Sequence, residues 1–293
     1  MDDDEVWRDD NDRPSIAVYY VLFLLFIMLW FFGVWLFVRM FNRKKINKQI
    51  CAFYISSLLV VTFRVLLFAD PFAQWPKNLY LIGLVSLPSY LYLMVGLSQL
   101  LLIVESILGY RKTLVLMNRQ LDRDRRELLL KRQRCILSTF YSFIVFATVG
   151  IIFLFVYYIF KSRAAGWNAD SMFGALTLGI LNIILWALLL ASSLYFFKML
   201  NQRFGEKFKS AKLHLKIVML FFSISFLIRS LWDIIIPTTN YNPPPKTNAT
   251  VIFFFYMLTE YLPIASIYLT HAYAFYRLSL AKSKKKLKKS KTE

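Results

Sequence analysis

Two cysteines and two histidines in 293 residues rule out a disulfide framework, and no His, Cys and Asp cluster at ligand spacing implies a metal site. The nine glycines form no phosphate-binding loop, and there is no nucleophile elbow. No cofactor is implied, and the chain reads as non-enzymatic. Acidic side chains are scarce too: 17 Asp and Glu stand against 36 Lys and Arg, for a formal net charge of +19. Long polar stretches are missing as well, so a chain long enough for two soluble domains has no segment that would form one.

Apolar and aromatic residues are abundant, at 58% and 18% of the chain. They gather in seven stretches, 15–38, 50–69, 79–105, 136–160, 174–197, 217–236 and 251–273. Each is about 20 or more residues, enough for a helix to cross a hydrocarbon core of ~30 Å. The expected fold is all-α: a polytopic seven-transmembrane bundle over 15–277, an acidic outer segment over 1–14 and a lysine-rich tail over 278–293.

The basic residues orient the bundle. Of the 36, five lie between stretches one and two, nine between three and four, six between five and six, and eight after stretch seven. Only six lie in the other gaps, and Arg64 and Arg229 lie within stretches. The positive-inside rule then puts the amino terminus outside or in a lumen and the tail in the cytosol. The sequon Asn248-Ala249-Thr250 falls in an outer loop, making Asn248 a glycosylation candidate. The start, Met1-Asp2-Asp3-Asp4-Glu5, resembles neither a cleaved signal nor a presequence, so helix one is expected to be an uncleaved anchor. Cys51 and Cys135 fall at cytosolic helix ends, where a disulfide is not expected.

A basic belt between spans faces anionic headgroups of the cytosolic leaflet, not nucleic acid. The run from Lys282 to Lys291 is expected to be disordered and to lie against such lipid, and its last five residues match the spacing of a dilysine retrieval signal. In the third connection, Leu114, Met117, Leu121 and Leu128 are spaced for one helical face. That segment is either a surface helix that docks a soluble partner or a solvated extension of helix three or four. Arg119, Arg123, Arg125, Arg126, Lys207 and Lys209 are the candidate docking residues. Outside, Asp70-Pro71 is expected to end helix two, Pro237 helix six, and residues 242–245 to form an extended link.

A charge at the bilayer centre costs at least ~2.5 to 3.5 kcal/mol, so each one inside a span needs a partner or a role. Counted at 1.5 Å per residue, Arg64, Arg229 and Glu260 lie about 22, 20 and 16 Å from the cytosolic side, close enough in depth to pair. Asp233 follows Arg229 by four residues and shares its face. Together the four make either a structural clamp among helices two, six and seven or a polar cavity for a ligand, ion or proton. Glu105 lies at the cytosolic mouth of helix three, where basic loops are expected to neutralise it. Pro88 and Pro263 fall inside spans, where each is expected to kink its helix and free a carbonyl one turn back.

Seven helices with an outer amino terminus is the layout of G-protein-coupled receptors. Yet helix three ends Glu105-Ser106-Ile107-Leu108-Gly109-Tyr110-Arg111, without an acidic-Arg-Tyr triplet, and helix seven lacks Asn-Pro-x-x-Tyr. The chain instead resembles the plant tobamovirus multiplication family and its distant animal relatives, the lysosomal orphan-receptor-like seven-helix proteins. The resemblance rests on Arg64 with Leu66, Leu67 and Phe68; on Leu87-Pro88 and Glu105; on Phe226-Leu227-Ile228-Arg229; and on Tyr256, Glu260, Leu262 and Pro263. It implies a vacuolar, lysosomal or related endomembrane protein, with the endoplasmic reticulum allowed by the tail, whose cytosolic face binds a small GTPase or a similar cytosolic protein. The alternatives are a ligand-sensing receptor and a structural subunit of a larger membrane complex.

Overall fold

The computed structural model describes residues 16–42, 48–73, 84, 86–117, 122–165, 167–204, 209–239 and 245–290. Lipid offers the backbone no hydrogen-bond partners, so each apolar run pairs its own N–H and C=O groups along a helix. The helices are α1 (Ile16–Asn42), α2 (Lys48–Phe68), α3 (Leu87–Met117), α4 (Arg123–Ala165), α5 (Trp167–Phe204) and α6 (Lys209–Thr239). The seventh span is built from α7 (Pro245–Tyr256), a π-helical turn (Met257–Tyr261) and α8 (Leu262–Ser290). A four-residue helix, Asp70–Ala73, follows α2. Among the described residues, seven helical segments are long and apolar enough to cross a membrane, and no strand occurs. The chain is an integral multi-pass membrane protein.

Sequential helices are neighbours: α1 packs on α2, α2 on α3, α3 on α4, α4 on α5 and α5 on α6. The seventh span closes the bundle against α6 and α1, while α3 also meets α5 and so stands at the centre. Burial grades accordingly. In α3, 56% of the apolar window is buried, whereas in α4 the figure is 6%, which leaves α4 as a peripheral helix facing lipid. Glycine sets the closest approaches. A Cβ on Gly96 of α3 would lie 2.4 Å from Leu185 of α5 and 2.6 Å from Phe226 of α6, and one on Gly33 of α1 would lie 2.5 Å from the Tyr268 ring of α8.

The ends of α1 and α8 meet, as do those of α3 and α5, and at this basic end cations lie against aromatic rings. Arg39 sits over Trp35 and Phe275 at 4.9 and 5.1 Å, and Arg111 donates to the Tyr195 hydroxyl. Of the two readings of the third connection the helical extension holds, and two expectations are corrected at helix ends. The third connection is not a separate surface helix: α3 runs on to Met117 and α4 starts at Arg123, both beyond their apolar stretches. Leucine, lysine and arginine propagate a helix already nucleated in the membrane, where no new nucleation cost arises. The same reason carries α8 as a helix through the lysine run to Ser290, in place of the expected disorder. Nor does Pro237 end α6, which continues to Thr239, because one lost hydrogen bond in a last turn does not terminate a helix.

Candidate functional site

The buried charges converge on Glu260. Its carboxylate is 0% exposed and lies between Arg64, 1% exposed, and Arg229, 2% exposed. Arg64 of α2 grips it in a fork, Nε donating to Oε2 and Nη2 to Oε1, each at 2.7 Å. From α6, Arg229 donates through Nη1 to Oε1. Two further donors go to the surroundings. Arg64 Nη1 donates to the Leu84 carbonyl at 3.1 Å and Arg229 Nη2 to the Ser89 hydroxyl at 2.7 Å. Arg229 Nε is without a hydrogen bond among the described residues, lying 3.9 Å from Asp233 Oδ2 as an ion pair.

Both prolines act on this cluster. Pro88 has no N–H to offer the carbonyl four residues back, and that carbonyl is Leu84, which Arg64 uses. Pro88 itself is the second residue of α3 and follows the π-helical residues Leu84 and Ser86. Pro263 withdraws a donor from the Thr259 carbonyl, and the π turn stands directly before it, with the Leu262 N–H reaching back five residues to the Met257 carbonyl. The extra residue in that turn sets which face Glu260 occupies, and Glu260 is buried there beside Thr259.

Aromatic rings wall the cluster. The Arg64 guanidinium lies 4.8 Å from the Tyr256 ring centre, and that of Arg229 lies 5.3 Å from Tyr92 and 5.7 Å from Phe255. Tyr92 stacks on Phe226 at 4.7 Å, and its hydroxyl is 3.0 Å from Ser225 Oγ. Asp233 is held by Asn182 of α5, whose Nδ2 donates to Oδ2 at 3.2 Å, while Asn182 Oδ1 is buried without a partner among the described residues. Two cations and two carboxylates thus balance in a site that ties α2, α3, α5, α6 and the seventh span. Removing any one charge from such an arrangement leaves its partners buried and uncompensated, which is costly.

A second polar cluster lies at the basic end. Glu105 accepts from Gln49 Nε2 of α2 and from the Tyr141 hydroxyl of α4, so neutral donors hold it in place of the loop cations expected from sequence. Gln49 and Tyr141 reach it from the two helices that pack against α3. A third cluster joins α2 to α8. Tyr54 and Tyr268 stack at 5.1 Å, the Tyr268 hydroxyl is 2.8 Å from Ser57 Oγ, and the Tyr54 hydroxyl is 3.1 Å from His271 Nδ1.

Of the docking candidates, Arg123 and Arg125 are exposed in the first turn of α4 and Arg126 is half-buried. Arg123 makes a loose surface pair with Glu127 at 3.5 Å. Lys209 opens α6. Arg119 and Lys207 lie outside the described residues, as do the side chains of Lys209 and Asn248, the latter in the first turn of α7. Ser89, Tyr92, Asn182, Gln49 and Tyr141 join these clusters without being candidates on sequence grounds. Asn182 carries a signal, as an amide within an apolar run; the others look like ordinary interfacial or small polar residues. Among the described residues no group of three or more His, Cys, Asp and Glu side chains is placed to hold a metal. No protein-family model matches the chain, and no curated protein or solved structure is significantly similar to it.

Proposed function

We propose that this is a non-enzymatic endomembrane protein that recruits a small GTPase or a similar acidic cytosolic protein to the tip of its α3–α4 hairpin. One observation carries the reading. Beyond the apolar stretches, Met117 and Leu128 are 65% and 67% exposed, with Leu114 and Leu116 also exposed, beside the cations Arg123 and Arg125. Met117 lies twelve residues past Glu105, about 18 Å of helix, so these apolar side chains stand at or above the headgroup layer and not in the hydrocarbon. Exposed apolar side chains stand here among the exposed cations Arg111, Lys112, Arg123, Arg125, Lys131, Arg132 and Arg134, which outnumber the exposed acids Asp122, Asp124 and Glu127. That excess suits an acidic partner whose approach is steered by charge. The resemblance to the tobamovirus multiplication family supports the same side and partner class, and the positive-inside partition supports a cytosolic basic end.

The closed charge cluster supports a scaffold over a ligand-sensing receptor, because Arg64, Arg229 and Glu260 direct their donors and acceptors at one another. The test is recovery of partners with the tagged chain from its native membrane. Wild type is expected to retain a small GTPase in low salt and release it as ionic strength rises. Reversing Arg123, Arg125 and Arg126 to Glu is expected to abolish recovery while membrane insertion stays intact. Unchanged partners after the reversal would reject docking at this tip and favour a structural subunit of a larger complex.

A further inference from the structure

Between α3 and α4, at the basic end, lies a cavity of about 260 Å³. Its lining is ordered by depth. Glu105 stands at the inner side, where it meets Tyr141 across the helix pair. Lys112 is seven residues further along α3, and Arg134 seven residues before Tyr141 on α4. Both are therefore about 10 Å further out, on a common level. Gln133 joins them at this rim, and Leu108 and Leu137 make apolar walls below it. Gly109 leaves the space open: a Cβ there would meet no atom within 4 Å.

We propose that this cavity seats the phosphate of an anionic glycerophospholipid, held by Lys112, Arg134 and Gln133, with the glycerol and chains descending along Leu108 and Leu137. The charges favour an anion, since two lining cations face a single carboxylate already accepting from Gln49 and Tyr141. The depth favours a lipid. A cationic rim outside apolar walls reproduces the order of phosphate above hydrocarbon, and the cavity lies where the seven-residue offset leaves the apolar stretches. Arg presents a planar fork and Lys a point charge, a pair well matched to phosphate oxygens. The site is distinct from the protein-docking tip and needs no soluble partner.

The test is native mass spectrometry of the full chain released from micelles with phosphatidic acid, with phosphatidylcholine as the zwitterionic control. Wild type is expected to keep phosphatidic acid in preference to phosphatidylcholine. Lys112→Ala with Arg134→Ala is expected to lower retention at least about tenfold, the loss of one or more charge-assisted contacts. Gly109→Phe should do the same by filling the cavity, with a preserved thermal transition. Lys131→Ala with Arg132→Ala removes two exposed charges from the same stretch of α4 outside the cavity, and is expected to leave retention unchanged. An equal loss in that control would reduce the binding to diffuse attraction and overturn the seat. Full retention by the Gly109 variant would also overturn it, as would glycerol phosphate binding as tightly as the lipid. Because no soluble protein is present, these outcomes are independent of the docking reading.

Discussion

Glu260 is the residue on which the bundle turns, because two guanidinium groups depend on its one carboxylate. Its loss leaves two buried cations facing a single, more distant carboxylate on Asp233. Glu260→Gln is expected to destabilise the protein by about 3 to 5 kcal/mol, the usual cost of an uncompensated buried charge. Asp233 is 14% exposed and 3.9 Å from Arg229. Asp233→Asn, which weakens a long ion pair and the hydrogen bond from Asn182, is accordingly expected to cost less, about 1 to 3 kcal/mol. Unfolding of the purified variants in mixed micelles measures both; equal losses would show that the two carboxylates share the load. At this scale the sequence is informative for an energetic reason. A charge in an apolar run is visible as a cost, so Arg64, Arg229 and Glu260 stand out in the chain itself. Ser89 and the Leu84 carbonyl carry no such mark, because a serine or a backbone oxygen costs little to place in a span, and its role depends on what happens to face it.

Helices meet where side chains allow. Gly96 lets α3 approach α5 and α6 at the centre of the bundle, and the atoms its missing Cβ would strike belong to the Phe226 ring as well as to Leu185. The ring is held by stacking on Tyr92 and cannot step aside freely. Gly96→Ala is expected to cost about 1 to 3 kcal/mol as overpacking. Gly109→Ala on the same helix meets open space and is expected to be neutral or slightly stabilising through helix propensity. A matched pair of thermal midpoints decides the point, and a similar shift in both would mean that helix propensity dominates close packing. Helix ends are the least legible elements. Apolar length locates where lipid begins and ends, but α3, α4 and α8 continue past that boundary because helix propagation in water needs only favourable local residues. The π turn before Pro263 is equally hidden: the proline announces a lost hydrogen bond, not how the preceding turn absorbs it.

The whole molecule is ordered by two gradients, apolar composition along each span and positive charge between spans. The 28 cations that fall in alternate gaps and the tail, against six in the other gaps, are the basis for expecting that side in the cytosol. A protease added to sealed vesicles is expected to trim the lysine tail while sparing the acidic segment at residues 2–12. Cleavage of the acidic segment with a protected tail would invert the orientation and with it the docking side. The bundle is also unevenly held. The charge cluster joins five of the seven spans, and α4 is not among them. That helix is tied instead by Tyr141 to Glu105 and borders the cavity at the basic end.

By itself the sequence determined the number of spans, the level of the buried charges and the uneven distribution of cations. Each of these is a sum of local transfer costs along one coordinate, the depth in the bilayer. Only the tertiary structure decided that Glu260 is shared between Arg64 and Arg229, that the carbonyl left by Pro88 belongs to Arg64, and that Glu105 faces Gln49 and Tyr141. Those pairings depend on the rotation of each helix about its axis and on which helices are neighbours, and both are settled by packing around α3 and by the extra residue of the π turn.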